Sequence, residues 1–197
     1  MQACFISIEQ ESKLMMLKLF PMIMAILFSS VTSANNSFPD SVVDTSPSLQ
    51  KCHETAISVM AFIDVADAAI YRPDCSKLPE IRGEKQLSFL YHRSIKSSDF
   101  IEASETLLKR NLTAAEYRNI ETELQQFNAA YEDVNAGDSY DIRQTQDGLY
   151  LFKNGRQLAH SPSSTLAESY YQIWFGADPF DTDLKEDLLA PISNQPN

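Results

Sequence analysis

No arrangement of side chains in this 197-residue sequence matches a familiar catalytic device. There is no Gly-Xaa-Ser-Xaa-Gly elbow, no glycine-rich phosphate loop and no His-Glu-Xaa-Xaa-His pair. His53, His92 and His160 are far apart with no motif around them, so each reads as a surface or core-edge residue. Asp178, Asp181, Asp183, Glu186 and Asp187 read as a helix N-terminus and a solvated face. No metal site is expected, because neither Cys52 nor Cys75 has a second Cys or His at ligand spacing and His53 alone does not close a tetrahedron. No cofactor is expected either. The densest chemical group is aromatic: Tyr170, Tyr171, Trp174 and Phe175. Core packing explains such a group, and the sharper reading is that Tyr170, Ile173 and Trp174 line an apolar pocket between helix and sheet. The nearest donors by sequence for a ligand's polar end are Tyr91, Arg93 and Lys96.

The elements that must position these residues are legible in part. Leu87, Phe89 and Tyr91 alternate with Gln86, Ser88 and His92, which predicts a half-buried strand over 85–95. Ser97, Ser98 and Asp99 supply capping groups for a helix over about 99–109. Thr113 and Glu116 form a capping box, and Tyr117, Ile120, Leu124, Phe127 and Tyr131 make one apolar stripe of a long helix. Asp147-Gly148 and Asn154-Gly155 suit primed turns, so three strands in a meander follow. Ser164 or Thr165 opens a helix that puts Leu166, Tyr170, Ile173 and Trp174 on one face, with Gly176 as a left-handed cap. A short helix behind Asp181 runs from Thr182 to Leu189. Thr55 to Tyr71 is apolar without a clear period, and reads as one helix or two strands.

Charge and composition set the outer limits. The net charge of −11 argues against nucleic acid, which needs a clustered basic surface. Lys13 and Lys18, the apolar run Leu19–Phe28 and the small residues ending at Ala34 have the layout of a secretory signal. Cleavage is expected after Ala34, and Met15 or Met16 would serve as an initiator closer to the signal. No stable membrane span is expected after cleavage, and the destination is the bacterial periplasm or the exterior. In an oxidising compartment Cys52 and Cys75 are expected to pair, the alternative being two separate buried thiols. Asn35-Asn36-Ser37 and Asn111-Leu112-Thr113 match the glycosylation acceptor pattern, although Thr113 is already committed to the cap.

The C-terminal third carries a resemblance. Gly137-Asp138-Ser139-Tyr140, the Asn154-Gly155 turn, the run Leu166 to Gly176 with its Ile173-Trp174-Phe175-Gly176 ending, and Leu184 to Leu189 resemble the bacterial chalcone isomerase-like proteins. Val65 to Tyr71 resembles that family's strand ending in Ala-Leu-Tyr, and Arg93 to Ala103 its strand-to-helix junction. The resemblance implies strands over 55–71, and a hairpin there would bring Cys52 and Cys75 together. The family's plant enzymes cyclise chalcones with an Arg, a Tyr, an Asn and a Thr or Ser. The corresponding positions here fall at Thr55 to Ile57, Asp99 or Phe100, Thr106 or Leu107, and Ile173, none of which carries that chemistry.

The expected fold is therefore α+β: an antiparallel sheet with helices packed on one face, a chalcone isomerase-like open-faced sandwich. The expected organisation is a signal peptide over 1–34, a flexible lead-in over 35–50, the domain over 51–190 and a tail over 191–197. The expected function is non-catalytic binding of an apolar small molecule such as a fatty acid, with Tyr91, Arg93, Tyr170, Ile173 and Trp174 at the site. The alternatives are an isomerase or lyase on another substrate, and an envelope interaction module without ligand.

Overall fold

The computed structural model describes residues 38–59, 63–77 and 82–190. The signal segment, Asn35-Asn36-Ser37 and the tail 191–197 lie outside the described residues, and among those described no helix is long and apolar enough to cross a membrane. Strands β1 (Ser41–Val42), β2 (Leu49–Val59), β3 (Ile63–Arg72), β4 (Lys85–Tyr91), β5 (Ser139–Thr145), β6 (Gly148–Lys153) and β7 (Arg156–Ser161) form one seven-stranded sheet. Their order in the sheet is their order in the sequence, and every pair is antiparallel. Helices α1 (Ser97–Asn111), α2 (Ala114–Asn128), α3 (Ser164–Tyr170), α4 (Gln172–Phe175) and α5 (Thr182–Leu189) share one core with Ile70, Leu87, Ile142 and Leu151 of the sheet. The protein is thus an α+β fold with helices on one face of an antiparallel sheet.

The stretch over 55–71 is two strands, and bulges explain why its period was unreadable. The β2–β3 register shifts between Lys51 and His53 and again between Ile57 and Ser58. Each bulge adds a residue and reverses which face the following side chains meet. Leu49 therefore packs on the open face, whereas Ile57 joins the helix-side core.

That open face is also covered, by the segment over 38–49 that the sequence reads as part of a flexible lead-in. Phe38, Val42 and Leu49 are buried against Ala69 and Tyr71, and the Tyr71 hydroxyl donates to the Pro39 carbonyl at 2.8 Å. Gln86 and Ser88 are consequently 3% exposed each, and β4 is buried on both faces rather than one. Their polar groups are satisfied there. Arg143 Nε donates to Gln86 Oε1 at 2.6 Å and its Nη1 meets Asp44 Oδ2 at 3.0 Å, while Ser88 donates to Asp141 at 2.6 Å.

Caps and turns agree with the sequence in kind but not always in residue. The Thr113–Glu116 capping box forms, and Asp181 accepts from the Leu184 amide at 2.7 Å. The start of α1 has no cap from its own serines; Asp133, distant in sequence, accepts from the Ser97 amide at 2.8 Å. Asn154 (φ 52°) and Gly155 (φ 75°) make the expected primed turn. In the other turn the positive angle falls on Gly148 (φ 119°), where a Cβ would overlap the Ser161 carbonyl. Gly176 is extended rather than left-handed, with φ −68° and ψ −177°. Its missing side chain makes room for Asn111, whose amide donates to the Leu107 and Asp178 carbonyls at 2.9 and 2.7 Å. A glycan on Asn111 would replace one of the two amide hydrogens, so both bonds could not persist.

Candidate functional site

Between the sheet and helices α1, α3 and α4 lies a cavity of about 270 Å³. Strands bring Ile57, Ala66, Phe89 and Ile142 to its floor, and α1 brings Phe100, Ala103 and Leu107 to its wall. Ile173 and Trp174 close it from α4, and the partly exposed Phe180 lies at its edge. The bridge between Ile95 and Val134 ties the two ends of the α1–α2 excursion together beside it. A pocket of this size and lining is one that takes apolar small molecules.

One end of the cavity is an aromatic cage. Phe100 stacks on Tyr131 at 5.4 Å between ring centres and meets Tyr91 and Tyr140 edge-on at 5.5 and 5.3 Å. Such pairs contribute about 0.5–1.5 kcal/mol each beyond the area they bury. Their hydroxyls are mostly committed. The Tyr131 and Tyr170 hydroxyls lie 2.8 Å apart, Tyr170 donates to Asn128 at 3.3 Å, and Asn128 donates to Ser104 at 2.7 Å. Tyr140 donates to the Glu132 carbonyl at 2.6 Å and accepts from the Glu132 amide at 2.9 Å. Tyr91 differs: it is 8% exposed, lines the cavity, and its hydroxyl has no hydrogen-bond partner among the described residues. Burial raises the pKa of Tyr91, Tyr131 and Tyr170 well above that of an ordinary phenol and pushes Tyr140 up to about 12. All four therefore remain neutral donors.

Of the residues singled out in the sequence, Tyr91, Tyr170, Ile173 and Trp174 meet at this cavity. Arg93 does not. Strand β4 ends at Tyr91, and the following bend leaves the Arg93 side chain exposed, outside the lining. Lys96 likewise precedes α1 on the surface. Tyr171 turns away to the sheet, donating to the Ile142 carbonyl at 2.7 Å. Of the positions matched to the enzyme's chemistry, Ile57, Asp99, Phe100, Leu107 and Ile173 all face the cavity, whereas Thr106 is exposed. Phe100, Tyr131, Tyr140 and Phe180 also build the site. Tyr131 belonged to the apolar stripe over 117–131, and Phe180 gave no periodic signal at all. Among the described residues no group of His, Cys, Asp and Glu could hold a metal ion.

Cys52 and Cys75 are bonded, with Cα atoms 5.2 Å apart. Cys52 is the extra residue of the bulge in β2, which frees its side chain from the regular ladder.

Comparisons with known proteins agree with this architecture. A family model described as chalcone isomerase-like matches residues 32–190, which takes in the covered segment ahead of β2. No curated protein matches the sequence. Among solved structures, a fatty-acid binding protein of Arabidopsis thaliana is similar with a TM-score of 0.57 and 18% identity, over 77% of this chain and 90% of that one. At that identity the likeness concerns the fold.

Proposed function

This chain belongs to the chalcone isomerase-like family, and from that premise we propose that it is a non-catalytic, exported binder of an apolar small molecule such as a fatty acid. The observation that carries the reading is the cavity beside Tyr170 and Trp174. Its walls are mostly aliphatic and aromatic, and the positions where the family's plant enzymes hold an Arg, a Tyr, an Asn and a Thr or Ser present Ile57, Asp99 or Phe100, Thr106 or Leu107, and Ile173. No cation among the described lining residues is placed to stabilise a developing oxyanion, which argues against chalcone cyclisation. A neighbour in fold that binds fatty acids supports the choice of ligand class. Export to a bacterial periplasm or exterior is supported by the N-terminal pattern up to Ala34 and by the Cys52–Cys75 bond.

Native mass spectrometry of the purified protein for co-purified lipid, beside a spectrophotometric chalcone assay, tests the proposal. A bound apolar molecule with no chalcone turnover is expected. Turnover well above background would overturn the non-catalytic reading, and a protein that refuses every apolar ligand would leave the interaction-module alternative. Sequencing the mature N-terminus tests export, with Asn35 the expected first residue.

A further inference from the structure

Resting on the reading that the cavity binds an apolar molecule, we propose that the ligand is a neutral lipid with one terminal oxygen rather than an ionised fatty acid, and that Tyr91 is the residue that selects it. Three observations lead there. Among the described lining residues there is no Lys, Arg or His, and the one ionisable acid is Asp99. The nearby helix N-terminus offers no compensation, because Asp99 sits in its first turn and Asp133 already accepts from the Ser97 amide. The buried cations of the sheet lie outside the lining: Arg143 is on the opposite face with Asp44 and Gln86, Lys85 sits over the Tyr171 ring, and Arg72 is at the end of β3. An ionised carboxylate entering this cavity would be desolvated without a countercharge.

The cavity does offer two neutral groups without a hydrogen-bond partner among the described residues, the Trp174 indole N–H and the Tyr91 hydroxyl, of which only the hydroxyl can both donate and accept. The Tyr91 hydroxyl is unpartnered while those of Tyr131, Tyr140 and Tyr170 are engaged. An alcohol, aldehyde or ester oxygen would satisfy it.

The test titrates the full chain with N-phenyl-1-naphthylamine, an apolar fluorescent probe, and displaces it with decan-1-ol or with fully ionised decanoate. Decan-1-ol is expected to compete at least about tenfold better, since burying an unpaired carboxylate is costly. Tyr91→Phe should weaken decan-1-ol roughly three- to tenfold relative to the dye, the worth of one neutral hydrogen bond. Asp99→Asn should strengthen decanoate about twofold or more by removing a like charge. Decanoate competing as well as decan-1-ol, or a Tyr91→Phe protein with unchanged preference, would overturn the neutral-ligand assignment alone. Failure of the dye to bind at all would overturn the cavity reading, and this one with it.

Discussion

Replacing both Cys52 and Cys75 by Ala should cost the protein about 3.5 kcal/mol. The two residues are 23 positions apart, so the bond closes a ring spanning β3 and most of β2. In the chain-entropy treatment a ring of this size restricts the unfolded chain by about 3.5 kcal/mol at room temperature. The native side loses little, because Cys52 already lies at a bulge and makes no regular ladder pair. For a domain of this size, 1 kcal/mol corresponds to roughly 2–4 °C, so the midpoint should fall by about 7–14 °C. Scanning calorimetry of the oxidised protein against the double variant reads this directly, with urea titration as a second measure. Free-thiol titration of the denatured, unreduced protein should find neither cysteine reactive. A loss below about 1 kcal/mol would refute the argument that the bond acts by limiting the unfolded ensemble.

Further outcomes follow from single contacts. Gly176→Ala should destabilise by about 2 kcal/mol, since a Cβ there overlaps the Asn111 side chain and displaces its bonds to Asp178, a change visible in chemical denaturation. Thr113→Ala should cost about 1 kcal/mol by removing one arm of the capping box, measured the same way. Burial raises the pKa of Asp141 despite its bond from Ser88 and the nearby Arg143. The folded protein therefore holds that proton more tightly than the unfolded chain, and stability falls as pH rises from the ordinary carboxyl pKa through the raised one. Asp141→Asn should remove that segment of the pH–stability curve, and an unchanged curve would show that Asp141 is not its source.

The parts of the fold legible in the sequence were those governed by local rules. The stripe Tyr117, Ile120, Leu124 and Phe127 is buried along α2, and the Asn154-Gly155 turn joins β6 to β7, because spacing and turn chemistry act within a few residues. What was hidden depended on distant partners. The bulges of the β2–β3 pair, at Cys52 in β2 and Val65 in β3, are defined by register between the two strands, and the burial of Gln86 and Ser88 depends on a segment more than 40 residues earlier. Asp133 capping α1 is of the same kind. At the site, Tyr170, Ile173 and Trp174 announced themselves as an aromatic helix face, and Tyr91 by strand alternation. Arg93 lies outside the lining because β4 stops at Tyr91, and alternation says nothing of where a strand stops. Tyr140 and Phe100 meet Tyr91 only once β5 and α1 are folded together.

Strand order equal to chain order bears on how quickly the protein reaches its native state. Six strand pairings join consecutive strands, and each can form from a closure of modest length except one. Between Tyr91 and Ser139 the chain makes its long excursion through α1 and α2 before β5 returns to β4. Loop-closure entropy grows only logarithmically, so this detour adds about 3 kcal/mol over a two-residue hairpin rather than an insurmountable delay. The arm can form helix from local contacts while the sheet zips on either side, which lowers the effective contact order of a β-rich protein. The pairing of β4 with β5 then becomes the natural rate-limiting event, and the cavity comes into being at the same moment, because its floor and its wall are joined by that step.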